Sequence, residues 1–135
     1  MPPTKLVSAA IAGAVLLAAP VAIAAGGPAT GVYGCYDAQF KFNPVTGRSN
    51  LVITPMPVPM FGLIDGSTYS DYDGHRGHYA FDAASGVITM TDGSRQGWRY
   101  QRKADGAFEL IDNKTGKLWY HCPLEKGKDP TRRPW

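Results

Sequence analysis

After residue 25 the sequence is cut into short alternating segments by clusters of Gly, Asp, Asn and Ser, and nothing in it carries the 3.6-residue periodicity of an amphipathic helix. This punctuation leaves β-hairpins as the available structure. The segments are 31–36, 39–42, 51–54, a stretch near 61–64, 78–82, 87–91, 98–102, 108–112 and 117–122. The later links, Ala83-Ala-Ser-Gly86, Asp92-Gly-Ser94, Ala104-Asp-Gly106 and Asn113-Lys-Thr-Gly116, hold residues that tolerate turn dihedrals. Strands joined by links this short run antiparallel. Two segments look irregular: Thr54–Met60, with prolines at alternate positions, reads as an extended edge or polyproline-like loop, and Lys126–Trp135 reads as a flexible basic tail.

The first 25 residues differ in kind. Lys5 supplies one positive charge, Leu6 to Ala19 is almost wholly apolar, Pro20 breaks the run, and Ala22-Ile-Ala24 offers the small residues signal peptidase requires. The expectation is a cleaved signal peptide over 1–25, an antiparallel β domain over 26–125 and the tail over 126–135. The product would be periplasmic or secreted, with no stable membrane span after cleavage. In an exported chain, Cys35 and Cys122 read as one disulfide closing nearly the whole domain. The chain has 14 Lys and Arg against 11 Asp and Glu; losing the leader removes only Lys5, leaving 13 against 11, a net +2. That near-neutral balance argues against nucleic acid as a dedicated partner.

Period-2 alternation assigns faces. Tyr79 and Phe81, Ile88 and Met90, Trp98 and Tyr100, Phe108 and Leu110, and Leu118, Tyr120 and Cys122 are the expected core. Lys117, Trp119 and His121 fall on the opposite side, as do Arg99 and Glu109, read as a cross-strand pair. Tyr36, Tyr69, Tyr72 and Trp119 are candidates for exposed aromatics. A Tyr-x-Cys element stands at each end, Tyr33-Gly-Cys35 and Tyr120-His-Cys122. It places the first and last strands together and predicts an all-β fold: a small antiparallel meander, a curled or barrel-like sheet closed by one disulfide.

Together with Gly77-His-Tyr-Ala-Phe-Asp82, Ser85-Gly-Val-Ile88 and Thr91-Asp-Gly93, those elements resemble small secreted bacterial β-rich proteins of uncharacterised function. The resemblance implies a fold and a compartment, and carries over no catalytic residues.

The residues offer four kinds of chemistry. Asp71, Asp73, His75 and His78 cluster within eight residues and are competent ligands for zinc or copper, with Met56, Met60 and Met90 as soft donors for copper(I). On a regular strand the odd spacing of His75 and His78 points them apart; Gly74 and Gly77 would have to bend the backbone to unite them. The run falls short of a calcium loop. The second is an aromatic recognition surface carrying Trp119, Tyr72 and Arg99. The third is a basic strip of Arg95, Arg99, Arg102 and Lys103 with Lys126, Lys128, Arg132 and Arg133, read as a solvated face. The last is a hydrolase with an unrecognised site, for which no Gly-x-Ser-x-Gly elbow or phosphate loop is present. The expectation is an exported non-catalytic binding or envelope-accessory module, its partner an envelope protein or glycan and its cofactor unassigned. A periplasmic copper- or zinc-binding protein using His75/His78 is the alternative.

Overall fold

The computed structural model describes residues 26–133 and 135, so the signal peptide expected over 1–25 lies outside the described residues. The turn-punctuated sequence forms eleven antiparallel strands: β1 (Gly31–Tyr33), β2 (Tyr36–Asn43), β3 (Arg48–Pro55), β4 (Phe61–Leu63), β5 (Thr68–Asp71), β6 (Arg76–Asp82), β7 (Val87–Met90), β8 (Arg99–Arg102), β9 (Phe108–Ile111), β10 (Leu118–Cys122) and β11 (Leu124–Glu125). A 3-10 turn, Gly93–Arg95, interrupts them. Among the described residues no helix is long and apolar enough to cross a membrane.

Sheet order is β11-β1-β4-β5-β6-β7-β8-β9-β10-β2-β3. From β4 to β10 this is a meander, each strand pairing with the next; its β6–β10 part is the one expected, and β5 is added to it. The ladder does not close into a ring. Its two ends are nonetheless joined by the chain itself. β1 sits near one end and β2 near the other, yet only Gly34 and Cys35 separate them; β10 and β11 are likewise divided by Pro123 alone. The Cys35–Cys122 disulfide ties these crossings, with a Cα–Cα distance of 4.0 Å and both residues fully buried. Beside it the Tyr36 hydroxyl donates to Glu125 Oε1 at 2.5 Å, and Lys128 pairs with the other carboxylate oxygen at 2.8 Å. Lys128 and then Tyr36 hold the Glu125 carboxyl below its ordinary pKa. Gly34 permits this approach: a β-carbon there would lie 1.9 Å from Glu125 Oε1.

The core lies inside the curl. Phe61 packs on Tyr33 (centroids 4.9 Å apart, nearly parallel), on Tyr100 (4.4 Å) and edge-on to Phe108 (5.9 Å). Leu63, Ile88, Met90 and the disulfide complete it. Each buried tyrosine finds an acceptor for its hydroxyl, as burial of that group demands. Tyr33 donates to Ala29 O, Tyr69 to Asp92 O, Tyr79 to Asp65 O and Tyr100 to Pro59 O. Burial pushes the Tyr33 hydroxyl up to about 12.

The expected inward residues Tyr79, Ile88, Met90, Tyr100, Phe108 and Cys122 are buried, and Phe81, Trp98, Leu110 and Tyr120 pack against them. Three expectations are corrected. Tyr69 is fully buried on β5, a strand hidden inside what reads as a polar turn region; its ring lies over Gly77, where a β-carbon would come within 2.5 Å. Arg99 does not pair with Glu109: it donates from Nε to Asn113 Oδ1 at 2.9 Å, while Gln101 stands opposite Glu109. Finally, β10 shifts register between Trp119 and His121, and Tyr120 sits at the shift with a φ of 53°. Trp119 therefore falls opposite Leu110, in the row of Tyr100, whereas His121 falls opposite Glu109. Simple alternation had put Trp119 and His121 on one face; the bulge separates them.

Candidate functional site

The Asp–His segment is the tight link between β5 and β6. Asp71 is buried, and its carboxylate is already engaged: Oδ1 accepts from the His75 backbone N–H (2.8 Å), and Oδ2 accepts from Ser94 Oγ (2.6 Å) and faces His75 Nδ1 (3.3 Å). Burial alone would raise its pKa; the bonds from Ser94 and His75 outweigh that and hold it below the usual value. The fold brings one ligand atom each of Asp71, Asp73 and His75 within 4.8 Å of one another. It does not bring His78 to them. His78 turns to Asp92, donating its backbone N–H to Oδ1 (2.6 Å) and placing Nδ1 2.8 Å from Oδ2. The odd spacing thus wins over the two glycines. Met90 is buried, and Met56 and Met60 pack against the core, so these thioethers are packing groups.

Trp119, Tyr72 and Arg99 do not share one surface. Trp119 is 42% exposed on β10, with Lys117 Nζ 4.7 Å above its ring, beside a shallow hollow lined by Leu110, Asp112 and Tyr120. Arg99 belongs to the row opposite that of Tyr100, hence to the other face from Trp119. Tyr72 lies in the β5–β6 link, flanked by Trp135 (centroids 6.3 Å apart) and by the Arg133 guanidinium, which also donates to Asp73 O. The tail residues make further contacts there, Ser70 Oγ donating to Pro130 O. The basic strip is likewise dispersed. Arg95 is buried against Trp98, Lys103 pairs with Glu109, and Arg132 with Asp129.

The most unusual surface lies elsewhere, on β2 and β3. β2 meets β10 through one register pair, His121 with Tyr36, and from Asp37 to Asn43 continues through seven paired positions with β3 as its sole partner among the described residues. The result is a two-stranded arm with β3 at the sheet's edge. Register places Ala38, Phe40 and Phe42 on one face with Ile53, Leu51 and Ser49. Phe40 is 78% exposed, Phe42 66%, Ile53 59% and Leu51 53%. Asp37, Gln39, Lys41 and Arg48 occupy the opposite face. The tip is ordered by Asn43, whose Oδ1 accepts from Val45 N and whose carbonyl accepts from Gly47 N. The signal was legible as alternation in Ala38-Gln-Phe-Lys-Phe42 and Leu51-Val-Ile53; what alternation omits is whether anything covers the apolar side.

No protein-family model, characterised protein or solved structure matches this chain.

Proposed function

We propose that the protein is an exported, non-catalytic binding module whose contact surface is the apolar face of the β2–β3 arm. One observation carries the reading: four large apolar side chains on a single face of a projecting ribbon, each more than half exposed. Isolated patches of that kind mark interaction sites, and two-stranded ribbons are marginal in water without a partner. The arm suits an envelope protein better than a glycan, because its face offers no polar group beside the rings except Ser49 and Tyr36. The buried disulfide supports an oxidising compartment, and the charged, apolar and small-residue order of residues 1–25 supports export.

The test is photo-crosslinking in the producing cells with a benzophenone amino acid in place of Phe42, and Ser85 as a control position. A discrete adduct from position 42 alone is expected. Equal or absent labelling at both positions refutes the assignment of the arm.

The clustering of Asp71, Asp73 and His75 favours one further reading, a zinc or copper site at the β5–β6 link. It predicts calorimetric binding of zinc or copper that His75→Ala and Asp73→Ala both abolish. No binding at a micromolar metal concentration rejects it.

A further inference from the structure

Resting on the reading of the arm as a contact surface, we infer that its occupant is a second copy of this chain, docked face to face through Phe40, Phe42, Leu51 and Ile53. The face is free of formal charge: Tyr36, Ala38, Phe40 and Phe42 stand with Ser49, Leu51, Ile53 and Pro55, and the arm's three charges, Asp37, Lys41 and Arg48, all lie on its reverse. A patch without charge can meet itself across a two-fold axis without setting any like charge against its copy, so nothing on this face opposes self-association. The polar reverse stays in water throughout.

Area supports the same occupant. Phenylalanine offers roughly 150–250 Å² and Leu and Ile somewhat less, so at the exposures given above the four present on the order of 500 Å² of apolar surface per copy. Two copies would bury about 1,000 Å² from these residues alone, the lower bound for a biological interface, and the rim adds to that area. Sheet faces pack about 10 Å apart with interdigitating side chains, and a projecting arm lets that happen without bringing the two bodies together.

A lipid bilayer is the competing home for an apolar ribbon, and the backbone argues against it. From Asp37 to Asn43 β2 has no neighbour but β3, and β3 has no neighbour but β2. Both edges of the ribbon carry unpaired N–H and C=O groups. Immersion in hydrocarbon strands those groups, whereas face-to-face docking leaves both edges in water.

Sedimentation velocity on the full chain, as purified from cells that express it, tests the inference across micromolar concentrations. The native protein should sediment as a species of twice the chain mass. Phe40→Ser/Phe42→Ser and, independently, Leu51→Ser/Ile53→Ser should each weaken the dimer by about a hundredfold or more, since each removes two buried apolar side chains per copy. Val58→Ser, equally exposed at 66% but off the arm, should leave the dimer intact. Melting curves confirm that the variants fold. Dimers that survive both arm variants overturn the proposal. So does a monomeric native protein; if position 42 then crosslinks to a different protein or to lipid in cells, the binding role stands with another occupant, and if it crosslinks to nothing, both readings fall.

Discussion

Replacing both half-cystines, Cys35→Ala with Cys122→Ala, should lower the melting temperature by about 20 °C. The bridge joins residues 87 apart in sequence. Closing a loop of that length in the unfolded chain removes about 15 cal/mol/K, or about 4.6 kcal/mol at 25 °C. A domain of about 110 residues unfolds with an entropy near 230 cal/mol/K, and the ratio of the two is about 20 °C. Two structural features bear on the figure. Both cysteines are fully buried, so alanine leaves unfilled volume and adds to the loss. The Tyr36–Glu125 bond and the β1–β11 pairing hold the same chain ends in the native state, but they do nothing to restrain the unfolded one. Circular dichroism melts of the oxidised protein and the double variant, in one buffer and shown to be reversible, make the measurement. A drop below about 5 °C would refute the premise that the bridge works by restricting the unfolded chain across the whole domain.

Three other outcomes are expected. Phe61→Ala, at the centre of the aromatic cluster, should cost about 3–5 kcal/mol in chemical denaturation, and a loss under about 1 kcal/mol would mean the core is not organised around that ring. Gly34→Ala should break the Tyr36–Glu125 contact and destabilise the protein, whereas Gly66→Ala, with open space around it, should be nearly neutral; equal effects contradict the crossing geometry. Asp71 has a folded pKa below its ordinary 3.8, so its contribution is complete above that value and is lost as pH falls through the lower one. Urea midpoints should therefore fall more steeply below about pH 4 for the native protein than for Asp71→Asn, and parallel curves would count against this role of the carboxylate.

The meander from β6 to β10 is legible in the sequence because its links are short and rich in turn formers, and alternation then names Ile88, Met90, Tyr100 and Phe108 as core. Local reasoning ends where pairing is remote. β11 is two residues long and exists because β1 offers it an edge. β5 is concealed by the charged link after it, although Tyr69 between Thr68 and Ser70 is an inward residue between polar ones. The bulge at Tyr120 has no glycine to announce it, and one extra residue there reverses the face of Trp119. For the candidate site, the Asp71–His75 contact follows from proximity in sequence, while the departure of His78 depends on Asp92, fourteen residues away, and so on the β6–β7 register. The arm's composition was visible throughout. Its lack of a covering layer is a property of the whole sheet.

The crossings at Gly34–Cys35 and at Pro123 also govern the order of arrival. A chain delivered N-terminus first presents Cys35 long before Cys122, and β1 waits for β4 on one side and for Leu124 and Glu125, near the far end, on the other. Until those last residues emerge, the meander has no lid on its first strand and Cys35 has no partner of its own. With only two cysteines in the chain, every premature disulfide is one with another molecule. A lone bridge of this kind cannot scramble within the chain, and until Cys122 follows, Cys35 can pair only with a thiol of another molecule.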